Sequence, residues 1–355
     1  MHAGMLTPSA EAKVMQKMVS AWLALLVCRA QLLGNLPQSL PPSVVRELEQ
    51  YNFPTRELQS VQRVRHPTNV IWHDGMIFAA SFMHNEVIRI SITPRRIGGD
   101  GGVVRHVFAK GYYCSPRQPC ARLDGPWGMA VRGEQLFVSS FGTDQILVFN
   151  ASTGEYATSF GNSEELDCPE GLAFDAAGRL YVASFLSNDV AVYAAAAADR
   201  GPVLVKRLRS HWLNGPEDVA IDPVSGDLFV SSHYNHTVVR FSTRPTHSAG
   251  LGRTVAVVGA HEQLAGPVGI TIDDSGQLYA AAYRHNRVVR FLNDGASCQY
   301  RGVFASSEKL RGPSGLAFDG SGTLLAVASY DNSQVILFNA SSSSASGASM
   351  LQVML

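Results

Sequence analysis

The sequence predicts an all-β fold, a six-bladed β-propeller of four-stranded antiparallel blades. Three observations carry that expectation. A Pro-opened unit recurs six times in one register, each unit runs through the same succession of short strands and turns, and the repeat length is that of one blade. The openings are His66-Pro-Thr-Asn-Val70, Gly125-Pro-Trp-Gly-Met129, Cys168-Pro-Glu-Gly-Leu172, Gly215-Pro-Glu-Asp-Val219, Gly266-Pro-Val-Gly-Ile270 and Gly312-Pro-Ser-Gly-Leu316. Successive prolines are 59, 43, 47, 51 and 46 residues apart, the first interval being lengthened by insertions at 94–102 and 112–124.

Within each unit a short apolar strand follows the Pro, as in Gly171-Leu-Ala-Phe-Asp175. An Asp/Gly turn comes next (Asp175-Ala-Ala-Gly178, Asp273-Asp-Ser-Gly276), where Asp bonds the backbone ahead and Gly accepts a positive φ. A second strand such as Leu180-Tyr-Val-Ala-Ser184 ends at an aromatic or His: Phe82, Phe141, Phe185, His233, Tyr283 and Tyr330. A polar Asn/Asp loop leads to a third strand, and a weaker fourth precedes the next Pro. One blade exposes two apolar faces and cannot stand alone, so the six must pack in a ring. From Leu58 to Asn339 each unit has about 47 residues, with no room for a seventh. Unit six lacks an obvious fourth strand; Leu58–Val64 has the right pattern and is expected to close the ring, Met350–Leu355 being the alternative.

The expected organisation is a signal-peptide-like segment at 1–30, a Pro-marked linker at 31–56, the propeller at 57–340 and a Ser/Ala-rich tail at 341–355. Lys13 and Lys17 precede an apolar stretch from Met18 to Cys28, the order of an export signal. Export would place the protein in an extracellular or secretory compartment, the alternative being cytoplasmic. It would also permit a disulfide between Cys114 and Cys120 in their Pro-rich loop. The 29 basic and 29 acidic residues cancel, and charged residues are only 16% of the chain. That balance excludes nucleic-acid binding through bulk positive charge, and no apolar run reaches the length of a membrane span. A monomer is expected.

Tyr279-Ala-Ala-Ala-Tyr-Arg-His-Asn-Arg-Val-Val-Arg-Phe291, preceded by Gly266-Pro-Val-Gly-Ile-Thr-Ile-Asp273, resembles NHL repeats, and the resemblance spans all six units. It implies a propeller that serves as a binding platform for a protein, glycan or small molecule, or that belongs with related enzymes. The peptidyl-hydroxyglycine lyases of this architecture bind zinc through His directly after the blade-opening Pro. Here those places hold Thr68, Trp127, Glu170, Glu217, Val268 and Ser314. The gluconolactonase and paraoxonase groups place Glu, Asn and Asp around a divalent ion in the channel mouth, and Gly215-Pro-Glu-Asp-Val-Ala-Ile-Asp222 is similar to them.

That similarity implies a metal set of Glu170, Glu217, Asp218 and Asn69 holding Ca²⁺, with His233 above the ion as general base. Trp127, Asn69 and Tyr234 would contact the ligand. The simpler expectation makes the glutamates solvated rim residues and the recurring aromatics plugs between blades. A non-catalytic scaffold is therefore favoured over a metal-dependent hydrolase or lyase.

Overall fold

The structure, a computed structural model, describes residues 64–92, 103–115, 118–195, 201–244, 252–259, 264–294, 297–340 and 349–351. The expected signal segment and linker lie outside the described residues. So do the side chains of Cys114 and Cys120, and with them the expected disulfide. Among the described residues, no helix is long and apolar enough to cross a membrane.

Six four-stranded antiparallel sheets form the ring. Their innermost strands are Pro67–His73, Pro126–Arg132, Pro169–Phe174, Pro216–Ile221, Pro267–Ile272 and Pro313–Phe318, each packed against the next and the last against the first. The chain runs outward through each blade before crossing to its neighbour. Between blades one and two, the insertion expected as a loop contains a two-stranded hairpin, Tyr112–Ser115 with Gln118–Arg122. In blade six the place expected for Leu58–Val64 is taken by Ser349–Leu351, which pairs with the third strand through Leu337↔Leu351 and Asn339↔Ser349. A segment expected as tail thus completes the sheet. Continuing outward from the third strand is the short connection the other five blades also make. Val64 instead plugs the seam between blades six and one, buried with Val70, Ile77, Ala326 and Val335.

Six apolar cores lie between adjacent sheets, one at each seam. Two further devices hold the seams. First, four of the six inner strands, those with glycine two residues after the Pro, approach the next blade closely there. A Cβ on Gly128 would stand 2.2 Å from the Glu170 carbonyl oxygen, one on Gly269 1.9 Å from that of Ser314, and one on Gly315 2.4 Å from the Asn69 Cα. Second, a polar clasp is repeated around the whole ring. The residue opening the third strand sits in the left-handed region (φ 54–59°) and accepts a hydrogen bond from the N–H of the residue before the next blade's Pro. The acceptors are Asn85, Asp144, Asn188, His236, Asn286 and Ser333; the donors are Gly125, Cys168, Gly215, Gly266, Gly312 and His66, at 2.7–3.2 Å. Every donor has a φ between 48 and 62°, which explains why four of the six are glycine.

The clasp is testable at one position. Asn286→Ala removes the acceptor for the Gly312 N–H and leaves a Cβ residue in the left-handed region, together about 2 kcal/mol. The urea midpoint should fall accordingly, while Asn286→Asp, which keeps an acceptor oxygen, should stay near wild type.

Candidate functional site

Each inner strand loses register between its Pro and the third residue after it, so one extra residue is inserted there in all six blades. Such a bulge re-aims side chains, and it falls on the two positions after the Pro. The first of these holds Thr68, Trp127, Glu170, Glu217, Val268 and Ser314, all buried except the half-buried Trp127. The Thr68 hydroxyl donates to the Pro126 carbonyl at 2.9 Å and the Ser314 hydroxyl to that of Pro67 at 2.7 Å, so these two link neighbouring blades.

Glu170 and Glu217 come from consecutive blades and are only 1% and 3% exposed. They are not solvated rim residues. Burial, then the charges of Glu217 and Asp218, push the Glu170 carboxyl well above the ordinary range, and its Oε2 has no hydrogen-bond partner among the described residues. Glu217 Oε1 lies 2.7 Å from His233 Nδ1. The contact is close but lacks hydrogen-bond alignment: neither ring nitrogen of His233 has a hydrogen-bond partner among the described residues, and the residue is fully buried. A glutamate and an imidazole so placed can exchange a proton and can hold a ligand rich in donors or positive charge.

His233 occupies the place held by an aromatic in the other blades, and these side chains do plug seams. Phe82, Tyr283 and His233 press on the glycine before the next blade's Pro, at 2.8, 2.8 and 3.1 Å from where a Cβ would be. Tyr234 caps the group: it is 41% exposed, its ring lies 5.1 Å from His233 and 5.9 Å from Phe185, and burial followed by Glu217 and Glu170 raises its hydroxyl pKa. Trp127 stacks on Phe141 at 5.6 Å and meets Phe82 edge-on at 5.4 Å, an apolar surface at the seam of blades one and two.

Asp218 stands where four other blades have glycine, and its carboxylate turns into a seam. Oδ1 accepts the Val219 N–H at 2.9 Å and Oδ2 the Ile270 N–H of the next blade at 3.0 Å. Burial raises this carboxyl to about 7 against the opposing pull of those two N–H groups. Asn69, three blades away, has a buried Oδ1 without a partner and lines the channel with Asp218. Of the expected set, Glu170, Glu217, His233 and Tyr234 come together. Asp218 is their neighbour, committed to backbone N–H groups. The other two carboxylates of the set are Glu170, with an unpartnered Oε2, and Glu217, against His233. Among the described residues the three-member group with ligand atoms within 4.8 Å of one another is Asp144, Asp167 and Cys168, where Asp144 serves as a clasp. Its spacing in sequence offered no signal, because the three meet only across a seam.

No family model and no curated protein matches the sequence. Solved structures of similar fold include a virginiamycin B lyase from Staphylococcus aureus, at 14% identity over 81% of this chain and 85% of that one, with a TM-score of 0.52. A putative 6-phosphogluconolactonase from Bacteroides uniformis is 14% identical over 83% of this chain and 87% of its own, TM-score 0.57. A protein from Lactobacillus plantarum is 14% identical over 83% and 86%, TM-score 0.58. At these identities the likeness is one of fold. The chain is a six-bladed β-propeller, in agreement with its NHL-like repeats.

Proposed function

We propose that this protein is a ligand-binding propeller whose recognition end is the mouth opened by the six prolines. Glu170, Glu217 and His233 form its polar floor, with Tyr234 and Trp127 beside it. The observation that supports this reading is Glu170, a fully buried carboxyl with an unpartnered oxygen and two acidic neighbours. An unsatisfied buried polar group costs about 1–3 kcal/mol, and native structures keep few of them. A ligand bringing positive charge or hydrogen-bond donors would relieve it. Export and delivery to an extracellular partner belong to the same proposal, which expects a mature N-terminus near Gln31 by mass spectrometry.

A second reading, a metal-dependent hydrolase or lyase, is favoured by the Glu217–His233 contact, since an imidazole next to a carboxylate can take a proton from a polarised water. Ca²⁺ held by Glu170 and Glu217 would supply that polarisation.

One titration series tests both readings. Chelated protein is melted with Ca²⁺, Zn²⁺, choline or glucose, since a ligand at a hundredfold excess over Kd adds about 2.7 kcal/mol to the native state. At least one addition should raise the wild-type melting temperature and leave Glu170→Gln unmoved. A rise with metal alone selects the hydrolase or lyase reading, a rise with an organic probe selects plain binding, and a flat response to all four sinks the site.

A further inference from the structure

The mouth carries charge of both signs. On its acidic side Glu170 Oε2 is buried without a partner and Glu217 lies against His233. On the other side of the same imidazole stands Arg284. A Cβ on Gly266 would be 3.1 Å from His233 Cε1 and 3.3 Å from Arg284 Nε, so the ring and the guanidinium flank one point. Arg284 holds in blade five the place that Tyr234 holds in blade four. Each follows the residue that plugs the seam, and each packs on the glycine before its own blade's Pro, Gly266 for Arg284 and Gly215 for Tyr234.

Arg284 is short of partners. Its Nε is buried and has no hydrogen-bond partner, and no carboxylate among the described residues pairs with it. Arg89 and Arg290, whose Nε atoms are also unpartnered, lie over the rings of Phe108 and Phe304 at 5.7 Å. Among the described residues Arg284 has no such ring beneath it. A guanidinium left in this state is a planar fork suited to a carboxylate. Tyr234 registers both signs: burial, then Glu217 and Glu170, raise its hydroxyl pKa, and Arg284 opposes them.

We propose that the ligand of the mouth is a zwitterion, an α-amino acid with an apolar side chain. This rests on the reading of the mouth as a binding site and names what it binds. The ammonium group donates to Glu170 Oε2 and to Glu217, and the carboxylate accepts from the Arg284 fork. The apolar side chain lies toward Trp127, on the blade next to that of Glu170. Acceptor and donor stand on opposite sides of one imidazole, a span that an α-amino acid covers with a hydrogen bond of about 2.8 Å at each end. A plain cation would satisfy Glu170 and leave Arg284 as it is.

The test compares L-phenylalanine with phenethylamine, which lacks the carboxylate, and with 3-phenylpropanoate, which lacks the ammonium group. Affinities are measured on the full chain by calorimetry at neutral pH and low salt. The indole N–H resonance of Trp127, assigned by Trp127→Phe, locates the bound probe. L-Phenylalanine should bind at least about tenfold more tightly than either analogue. Arg284→Gln should abolish its advantage over phenethylamine, and Arg284→Lys, which keeps the charge, should retain part of it. Glu170→Gln should abolish its advantage over 3-phenylpropanoate. If L-phenylalanine binds no more tightly than phenethylamine, or binds Arg284→Gln as well as wild type, the zwitterion is overturned. The mouth itself still stands in that case if phenethylamine moves Trp127 in wild type and not in Glu170→Gln. No movement of Trp127 with any probe also overturns the zwitterion, whereas the mouth falls only with a flat response in the melting series.

Discussion

Gly269→Ala is expected to lose at least about 3 kcal/mol of stability, or to prevent folding. The added Cβ would stand 1.9 Å from the Ser314 carbonyl oxygen and 2.9 Å from the Gly315 Cα. Both are backbone atoms of the adjoining inner strand, so no side-chain rotation can make room. Blades five and six would have to separate where their inner strands are closest, and a closed ring passes that displacement to the other seams. Gly320→Ala is the matched control, because a Cβ there meets nothing within 4 Å. It should remain within about 0.5 kcal/mol of wild type. Denaturant midpoints of the two variants decide the matter: similar losses would mean that the inner-strand glycines serve backbone freedom in general and not close approach.

Glu170→Gln is expected to stabilise the protein, and to do so more as the pH rises. The sign follows from linkage. The Glu170 carboxyl titrates well above the ordinary carboxylate range in the folded state, because of burial and of Glu217 and Asp218. The native state therefore holds a proton that the unfolded chain has already released, and stability falls as pH rises through that window. Asp218, raised from 3.8 to about 7, adds a second loss of the same sign as the pH rises toward and through neutrality. Each such group changes stability by up to about 1.4 kcal/mol per pH unit within its window. The amide has no proton to lose. Its advantage should be small at pH 4.5 and amount to several degrees of melting temperature at pH 8, at roughly 2 °C or more per kcal/mol. A loss of stability that is equal at both pH values would mark the Glu170 carboxyl as a structural group and remove the main support for the mouth as a binding site.

The repeat was legible because its signals sit where the backbone has little choice. The residue before each Pro needs a positive φ, the inner strands need glycine where they converge, and the seam needs an aromatic; these three requirements write Gly-Pro, Gly and Phe/Tyr into the chain at regular intervals. The outer strands leave a weaker trace. Val203–Leu208 alternates poorly between exposed and buried because one edge faces solvent, and such a strand tolerates many sequences. This is why Leu58–Val64 and the C-terminal residues read alike as candidates for the last strand, and why backbone pairing alone distinguished them. The site was half legible. Glu170 and Glu217 were found by their place after the Pro, but a bulge lies at that place, and bulge geometry is not written in residue type. Glu217 and Asp218 are adjacent carboxylates with different fates, one paired with His233 and the other spent on two backbone N–H groups. The clasp residue His236 likewise looks like any loop histidine until its Nδ1 is seen accepting the Gly266 N–H.

Because every blade is built from one unbroken stretch of chain, the molecule is a split washer. Five of its six seams are crossed by the polypeptide; among the described residues the sixth, between blades six and one, is crossed only by contacts. There Val64 and its apolar neighbours, the Ser333–His66 clasp and the Ser314–Pro67 hydrogen bond hold the cut faces together. Mechanical or thermal stress that parts any other seam stretches a covalent link, whereas stress at this one opens the circle and leaves all six sheets whole. The gap is a property of where the chain is cut and not of the ring, so it could be moved to another seam without altering a single blade.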